Sequence, residues 1–271
     1  MIKLVALDLD GTLLGSDKQI SPQNVEIIKK HHEKGINFAI CTGRTLSEVY
    51  HIDSIKNLLP YTDYTILTNG SACIDKTGNT IFDIRIKSED VKNIHSKLDH
   101  MNMMFELYSN GKVICSEESL EKYKDYINPE FYKLVEDTRM SVPDILKFSE
   151  DEQGGINMIL ASFLSNSDMK KAYETVSAMD YYITQVGEKS IEIHHSSVDK
   201  GNGISNLAEK LGINKENILS IGDSHNDLTM RKAVGTLVSM GNAIDELKDI
   251  SDFITSTNDD FGVYHALNKL L

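Results

Sequence analysis

The chain is poor in three things, and each shortage narrows what it can be. It has only three cysteines in 271 residues, Cys41, Cys73 and Cys115, an odd number with no C-x-x-C pair. That argues against a disulfide framework and for a reducing compartment. No apolar run approaches the ~20 residues that a membrane-spanning helix needs. The opening Met1-Ile2-Lys3-Leu4-Val5 runs into Asp8 too soon for the apolar stretch of a secretory signal. A cytoplasmic protein without a membrane partner is the expectation. Basic residues are also scarce: 28 Lys+Arg face 41 Asp+Glu, a formal charge of −13. Nucleic-acid binding needs clustered Lys and Arg, so it is disfavoured. A small anionic substrate stays open, because a few donors and a cation reverse the field locally. The rest of the composition, 40% hydrophobic and 25% charged, is that of a globular chain long enough for one large domain or two moderate ones.

What is present begins with a βα rhythm. Ile2–Leu7 is a short apolar run, and both its faces are apolar, as in a buried strand of a parallel sheet. Ser21-Pro22 opens a helix that runs to about Lys34 and stops at Gly35. A second strand, Ile36–Cys41, leads into Thr42-Gly43-Arg44 and then Thr45-Leu46-Ser47-Glu48, a capping-box pattern. Tyr64–Leu67 reads as a third strand, followed by the turn Thr68-Asn69-Gly70. The rhythm then changes. Met103–Tyr108 and Lys112–Cys115 flank Asn110-Gly111, the strongest two-residue hairpin signal. The stretch from Gln153 to Ser165 holds the apolar run Ile156–Leu164, Ser167 precedes a helix to about Met179, and Tyr181–Val186 with Lys189–His194 suggest a second hairpin. After Lys200–Leu211, a helix, the βα alternation resumes with Ile218–Ile221, Ser224-His225-Asn226-Asp227 as a capping box, and short strands at Thr236–Ser239 and Phe253–Thr255. The expectation is an α/β fold: a parallel-sheet core from residues 1–83 and 189–271, with an inserted α+β module at 84–188.

Small polar groups gather where predicted strands end, the edge at which open α/β sheets bind ligands. Asp8 and Asp10 are i and i+2 in extended chain and face one side. Two such carboxylates repel unless one keeps its proton, or a divalent cation lets one act as nucleophile and the other move a proton. An isolated pair would more simply be a turn. Asp223 can supply a further carboxylate of the kind Mg²⁺ favours. Asp227 reads equally as support for that cation and as the acidic member of its capping box. Asn226 can donate to a phosphate oxygen or finish a turn. Thr42 and Gly43 offer a hydroxyl and backbone N–H groups to an anion. Lys200 can neutralise a phosphate oxygen and the nucleophile together. Arg44 reads as a helix-surface ion pair and His194-His195 as structural or surface residues, while His225 stays open as a candidate. Cys41 reads as a core residue, since Cys41-Thr42-Gly43-Arg44 is too short for a C-x₅-R phosphate loop.

Asp8-Leu9-Asp10-Gly11-Thr12-Leu13-Leu14, Thr42-Gly43-Arg44, Lys200-Gly201 and Gly222-Asp223-Ser224-His225-Asn226-Asp227 resemble, in order, the four motifs of the haloacid dehalogenase-like (HAD) hydrolases. Met240-Gly241-Asn242-Ala243 and Asn258-Asp259-Asp260-Phe261-Gly262-Val263 are similar to the Cof-type sugar-phosphatase subfamily. The resemblance implies a Rossmannoid core with a mobile C2B-type cap and a Mg²⁺-dependent phosphatase of small phosphorylated metabolites, sugar phosphates among them. By position it implies that Asp8 attacks phosphorus and becomes an aspartyl phosphate, and that Asp10 protonates the leaving alcohol and then activates water. Asp8, Asp223 and the Asp10 carbonyl would ligate Mg²⁺ with Asp227 in support. Leu9 backbone, Thr42, Gly43, Lys200 and Asn226 would hold the phosphoryl oxygens. Ser71 departs from the pattern, where relatives commonly have Ala, and adds a hydroxyl. Specificity is expected to come from the cap, with Glu106, Tyr108 and His195 as contacts or as packing. The competing activities are a phosphomutase, in which Asp10 serves a second substrate hydroxyl, and a non-catalytic, receiver-like phosphate binder. No obligate protein partner is implied.

Overall fold

In the computed structural model, which describes residues 1–152 and 154–271, the chain divides into two compact units. The first comprises Met1–Arg44, Ile52–Asp83 and Asp199–Leu271, and the second Thr45–His51 and Ile84–Val198. Gln153, where one predicted stretch begins, lies outside the described residues. In chain order the strands are β1 Leu4–Leu7, β2 Asn37–Cys41, β3 Tyr64–Leu67, β4 Ala72–Asp75, β5 Thr80–Asp83, β6 Met103–Ser109, β7 Lys112–Ser116, β8 Arg139–Val142, β9 Met158–Phe163, β10 Tyr181–Val186, β11 Ser190–His195, β12 Ile218–Gly222, β13 Thr236–Ser239 and β14 Phe253–Ile254.

The first unit is built on one sheet in the order β14-β13-β12-β1-β2-β3-β4-β5. Every pair from β14 to β3 is parallel, and β4 and β5 add on as an antiparallel hairpin. All four residues of β1 are buried, as expected for a strand with neighbours on both edges and apolar side chains on both faces. Ser21 caps Pro22–His32 and Asp199 caps Lys200–Leu211, each side chain accepting from a backbone N–H of its helix's first turn. The hairpin β4–β5 adds to what the sequence suggests; its residues are mostly half-exposed and its turn is polar, so hydrophobic patterning gives little sign of it.

The second unit is a six-stranded sheet, β10-β11-β9-β6-β7-β8, antiparallel except at β7–β8. The helices Ser88–Leu98 and Asn166–Ser177 cover one face through Val91, Ile94, Leu98, Met169, Ala172 and Val176, which meet Phe105, Leu107, Ile159 and Ile193 of the strands. The second unit extends past the expected edge at 188. Strand β11 is hydrogen-bonded to β10 on one side and β9 on the other, so a cut at 188 would split a hairpin, and residues 189–198 belong to this unit. Residues 45–51 also leave the first unit. Glu48, in the helix Leu46–Tyr50, accepts from Arg139 Nη1 at 2.6 Å, and Arg139 Nε donates to Glu106 at 2.8 Å, all three nearly buried. Tyr108 completes the group through its hydroxyl, 3.2 Å from Arg139 Nη2. Among the described residues no helix is long and apolar enough to cross a membrane.

Candidate active site

Strands β12, β1, β2 and β3 are parallel neighbours, so their carboxyl ends share one edge of the first unit's sheet. Asp8 follows β1, Thr42 follows β2 and Asp223 follows β12, so the parallel register alone brings together residues that are 215 apart in sequence. Lys200 arrives from the side, at the start of its helix. That helix can approach because Gly70 and Gly203 lie back to back: a Cβ on Gly70, which sits at φ +103°, would be 2.4 Å from the Asp199 carbonyl.

Lys200 is fully buried, with Nζ 2.5 Å from Asp8 Oδ1 and 2.6 Å from Asp227 Oδ1. Asp227 Oδ2 accepts from the backbone N–H groups of Asp223 and Ser224, both at 2.9 Å. The two readings of Asp227 are thus both present, cap and buried counter-charge. The run it caps, His225–Lys232, is a 3₁₀ segment rather than the α-helix expected through Ala233. Asp223 Oδ1 accepts from the Thr12 hydroxyl at 2.9 Å. Its other oxygen fills the space where a Cβ of Gly11 would stand, 2.3 Å away, and Gly11 itself sits at φ +79°. Carboxylate oxygens of Asp8, Asp223 and Asp227 all fall within 4.8 Å of one another. One of them, Asp8 Oδ2, is buried and has no hydrogen-bond partner by geometry among the described residues. An orphaned carboxylate oxygen of Asp8 close to an oxygen of Asp223 fits a divalent cation, and three carboxylates against one ammonium leave charge for it to neutralise.

Proton affinities record the same crowding. Burial raises the Asp8 carboxyl well above the usual carboxylate range; the charges of Asp227 and Asp223 push it further, against Lys200. Burial and the charge of Asp227 push Asp223 up to about 6. Burial opposes the charge on Lys200, but Asp227 and Asp8 outweigh it and hold its pKa well above normal. With both carboxyl pKa values raised on folding, the folded metal-free protein binds protons more tightly than the unfolded chain. The resulting stability is fully present below about pH 4 and is lost as pH rises through about 6. In EDTA, the urea midpoint of wild type should therefore fall relative to Asp223→Asn over that window. Parallel midpoints across the window would show that no such strain exists.

Thr42 is buried, and its Oγ1 accepts from the Arg44 backbone N–H at 3.1 Å. Gly43 lies against Asn69, and Asn226 Nδ2 donates to Asn69 Oδ1 at 3.0 Å. Leu9 is buried between the two Asp residues, and its carbonyl accepts from Leu14 N–H. Asp10 is exposed and is not one of the three clustered carboxylates; Arg44 grips it, Nε and Nη2 each donating to one of its oxygens at 2.7 Å. Partial desolvation works against its charge, yet this bidentate hold wins and keeps its pKa below normal. Arg44 therefore pairs with an acid of the neighbouring loop after β1, where the sequence suggests a helix-surface ion pair. Cys41 is buried, and burial drives its thiol pKa far upward, so it is an inert core residue. The Ser71 hydroxyl faces the Thr68 hydroxyl, His225 is exposed, and His194 is buried on β11. Thr12 and Asn69 join the site without having been expected there. Asn69 adopts φ +54°, and the only signal for it is Asn-Gly immediately after a predicted strand.

A four-motif edge on a parallel sheet with a separate second unit is the architecture of one class of hydrolase, and the family pattern described as haloacid dehalogenase-like hydrolase matches residues 5–267. The chain belongs to that family. It is 31% identical to the 5-amino-6-(5-phospho-D-ribitylamino)uracil phosphatase YwtE of Bacillus subtilis, an alignment covering 100% of this chain and 98% of that protein. The solved structure of a haloacid dehalogenase-like hydrolase from B. subtilis superposes with a TM-score of 0.86 at 27% identity, covering both chains completely. A HAD subclass IIB sugar phosphatase shares the fold at a TM-score of 0.81 and 20% identity, over 98% of each chain.

Proposed function

We propose that this enzyme is a Mg²⁺-dependent phosphatase of small phosphorylated metabolites, sugar phosphates or similar compounds, working through an aspartyl phosphate on Asp8. The observation that carries the reading is the unpartnered, buried Asp8 Oδ2 inside a cluster of two further carboxylates and Lys200. Membership of the family and the name of YwtE, a 5-amino-6-(5-phospho-D-ribitylamino)uracil phosphatase, support it.

Asp8 and Asp223 would hold the cation directly, together with the Asp10 carbonyl. Asp227 orients rather than ligates, since its two oxygens already take Lys200 and two backbone N–H groups. When bound, Mg²⁺ supplies positive charge beside the phosphoryl oxygens, where phosphoryl transfer spreads its negative charge. The chain's own residues do the rest. Asp8 forms a bond to phosphorus as the bond to the leaving oxygen breaks, and Asp10, once protonated and released by Arg44, donates its proton to that oxygen. Asp10, now ionised, takes a proton from water as water attacks phosphorus and the Asp8 bond breaks. Lys200 holds the Asp8 carboxylate in place throughout, while Thr42, Gly43, the Leu9 backbone and Asn226 bind phosphoryl oxygens; Asn69 fixes the Asn226 amide for that purpose.

The test is a phosphometabolite panel assayed with Mg²⁺ and with EDTA. Hydrolysis should fall by at least about 100-fold in EDTA and return with Mg²⁺; equal rates in both would overturn the metal role. Sugar 1-phosphates separate the competing activity: free phosphate is expected, and a 6-phosphate product would make the protein a mutase.

A further inference from the structure

The turn at residues 240–243 and the segment 258–262 play no part in the chemistry above, yet their side chains reach the loop that follows Asp10. Asn242 Nδ2 donates to the Gly11 carbonyl at 2.9 Å, and its Oδ1 accepts from the Asn258 backbone N–H at 3.0 Å. Asn258 Nδ2 in turn donates to the Leu14 carbonyl at 2.8 Å. At the far end of the loop the Ser16 N–H and hydroxyl both donate to Asp259, at 2.7 and 2.6 Å. The same turn also holds the neighbouring strand end, because the Ile244 N–H donates to the Asp223 carbonyl at 2.9 Å. Residues 242–244 therefore bracket Gly11 and Asp223 at once. Inside the bracket the Thr12 hydroxyl holds Asp223 Oδ1, and Gly11 leaves the space for Oδ2.

We propose that Asn242, seated by Asn258, is a positioning residue for the divalent cation: through Gly11 and Thr12 it sets the spacing of Asp8 and Asp223. The proposal rests on the metal reading above. The position calls for asparagine because one short side chain must donate to Gly11 and accept from Asn258. Aspartate offers only acceptors, one of them pointed at a carbonyl. Two hydrogen bonds at an exposed side chain contribute modestly to folding. A Mg²⁺ site demanding near-ideal octahedral geometry is far more sensitive, and groups that orient its ligands typically change affinity 10–100-fold.

The test is Mg²⁺ binding by isothermal titration calorimetry on wild type, Asn242→Ala, Asn242→Asp and Asn258→Ala, with thermal midpoints in EDTA and kcat measured across Mg²⁺ concentrations. Both Asn242 variants should bind Mg²⁺ about tenfold more weakly and recover most of kcat at saturating Mg²⁺, with a smaller shift for Asn258→Ala. Asn242→Ala combined with Thr12→Val should be less than additive in Mg²⁺ affinity. An unchanged Mg²⁺ Kd with a lowered thermal midpoint would overturn the proposal, leaving the bracket as scaffolding. Should Asn242→Ala fail to fold, Asn242→Asp, which keeps the side-chain volume and the Asn258 contact, gives the same reading. Wild type failing to bind Mg²⁺ would remove the metal reading and this proposal together; wild type binding with unaltered variants would remove the proposal alone.

Discussion

Replacing Asp8 by asparagine is expected to lower kcat for p-nitrophenyl phosphate by about 10⁴-fold or more, because the amide cannot form the phosphoryl ester and no other group can take its place. Cys41, at the end of the neighbouring strand β2, is no substitute, its thiol being buried and held neutral. The fold should survive the change. The amide keeps the shape of the carboxylate, Lys200 keeps Asp227 as its partner, and one of the mutually repelling carboxylates is gone. Metal-free Asp8→Asn is therefore expected to match or exceed wild type in urea midpoint at neutral pH. A variant that stays active would overturn the mechanism. One that is inactive only because it is unfolded would overturn the electrostatic account of the cluster.

Lys200→Met should be the most destabilising single change at the site. The methionine preserves the apolar stem but leaves Asp8, Asp223 and Asp227 without their buried cation. Removing one partner of a buried ion pair costs about 3–5 kcal/mol. Protonation of the carboxylates offsets part of that cost, so the deficit against wild type should shrink on acidification toward the raised carboxyl pKa values, near 6 for Asp223. Mg²⁺ should restore stability by the same logic, whereas kcat should stay on the order of 10²–10³-fold down, since a positive charge aimed at the reacting group is lost. Urea titrations of the variant at acidic and neutral pH, with Mg²⁺ and with EDTA, check each part. A midpoint equal to wild type at neutral pH in EDTA would show that Lys200 is not the compensating charge.

The parts of the site that are legible in the sequence are those that strand topology alone assembles. Asp8, Thr42 and Asp223 each follow an apolar run, and parallel neighbours necessarily present their carboxyl ends together. The capping boxes at Thr45 and Ser224 are equally readable, because they are local patterns four residues long. What escapes depends on distance in sequence. The grip of Arg44 on Asp10 spans 34 residues, that of Thr12 on Asp223 spans 211, and that of Asn242 on Gly11 spans 231. No periodicity announces such partners. For Asn69 the turn is legible as Asn-Gly after a strand, but its partner Asn226, 157 residues on, is not. The edge of the second unit escapes for a similar reason. The hairpin across Gly187-Glu188 is legible and already argues against a cut at 188, but the pairing of β11 with β9, which anchors it in the second sheet, is visible only in three dimensions. Between residues 117 and 151 the short helices and β8 carry mostly exposed or half-exposed side chains, so hydrophobic patterning there is weak, although Arg139 and its buried partners tie that stretch to the sheet.

The most direct test of a covalent route is to stop a turnover while it is in progress. Protein mixed with substrate and Mg²⁺ on the millisecond scale, quenched in acid and digested, should yield a peptide carrying phosphate on Asp8, labile to base and convertible to homoserine by borohydride. Product forming at the full rate with no phosphate on Asp8 at any time would contradict the account.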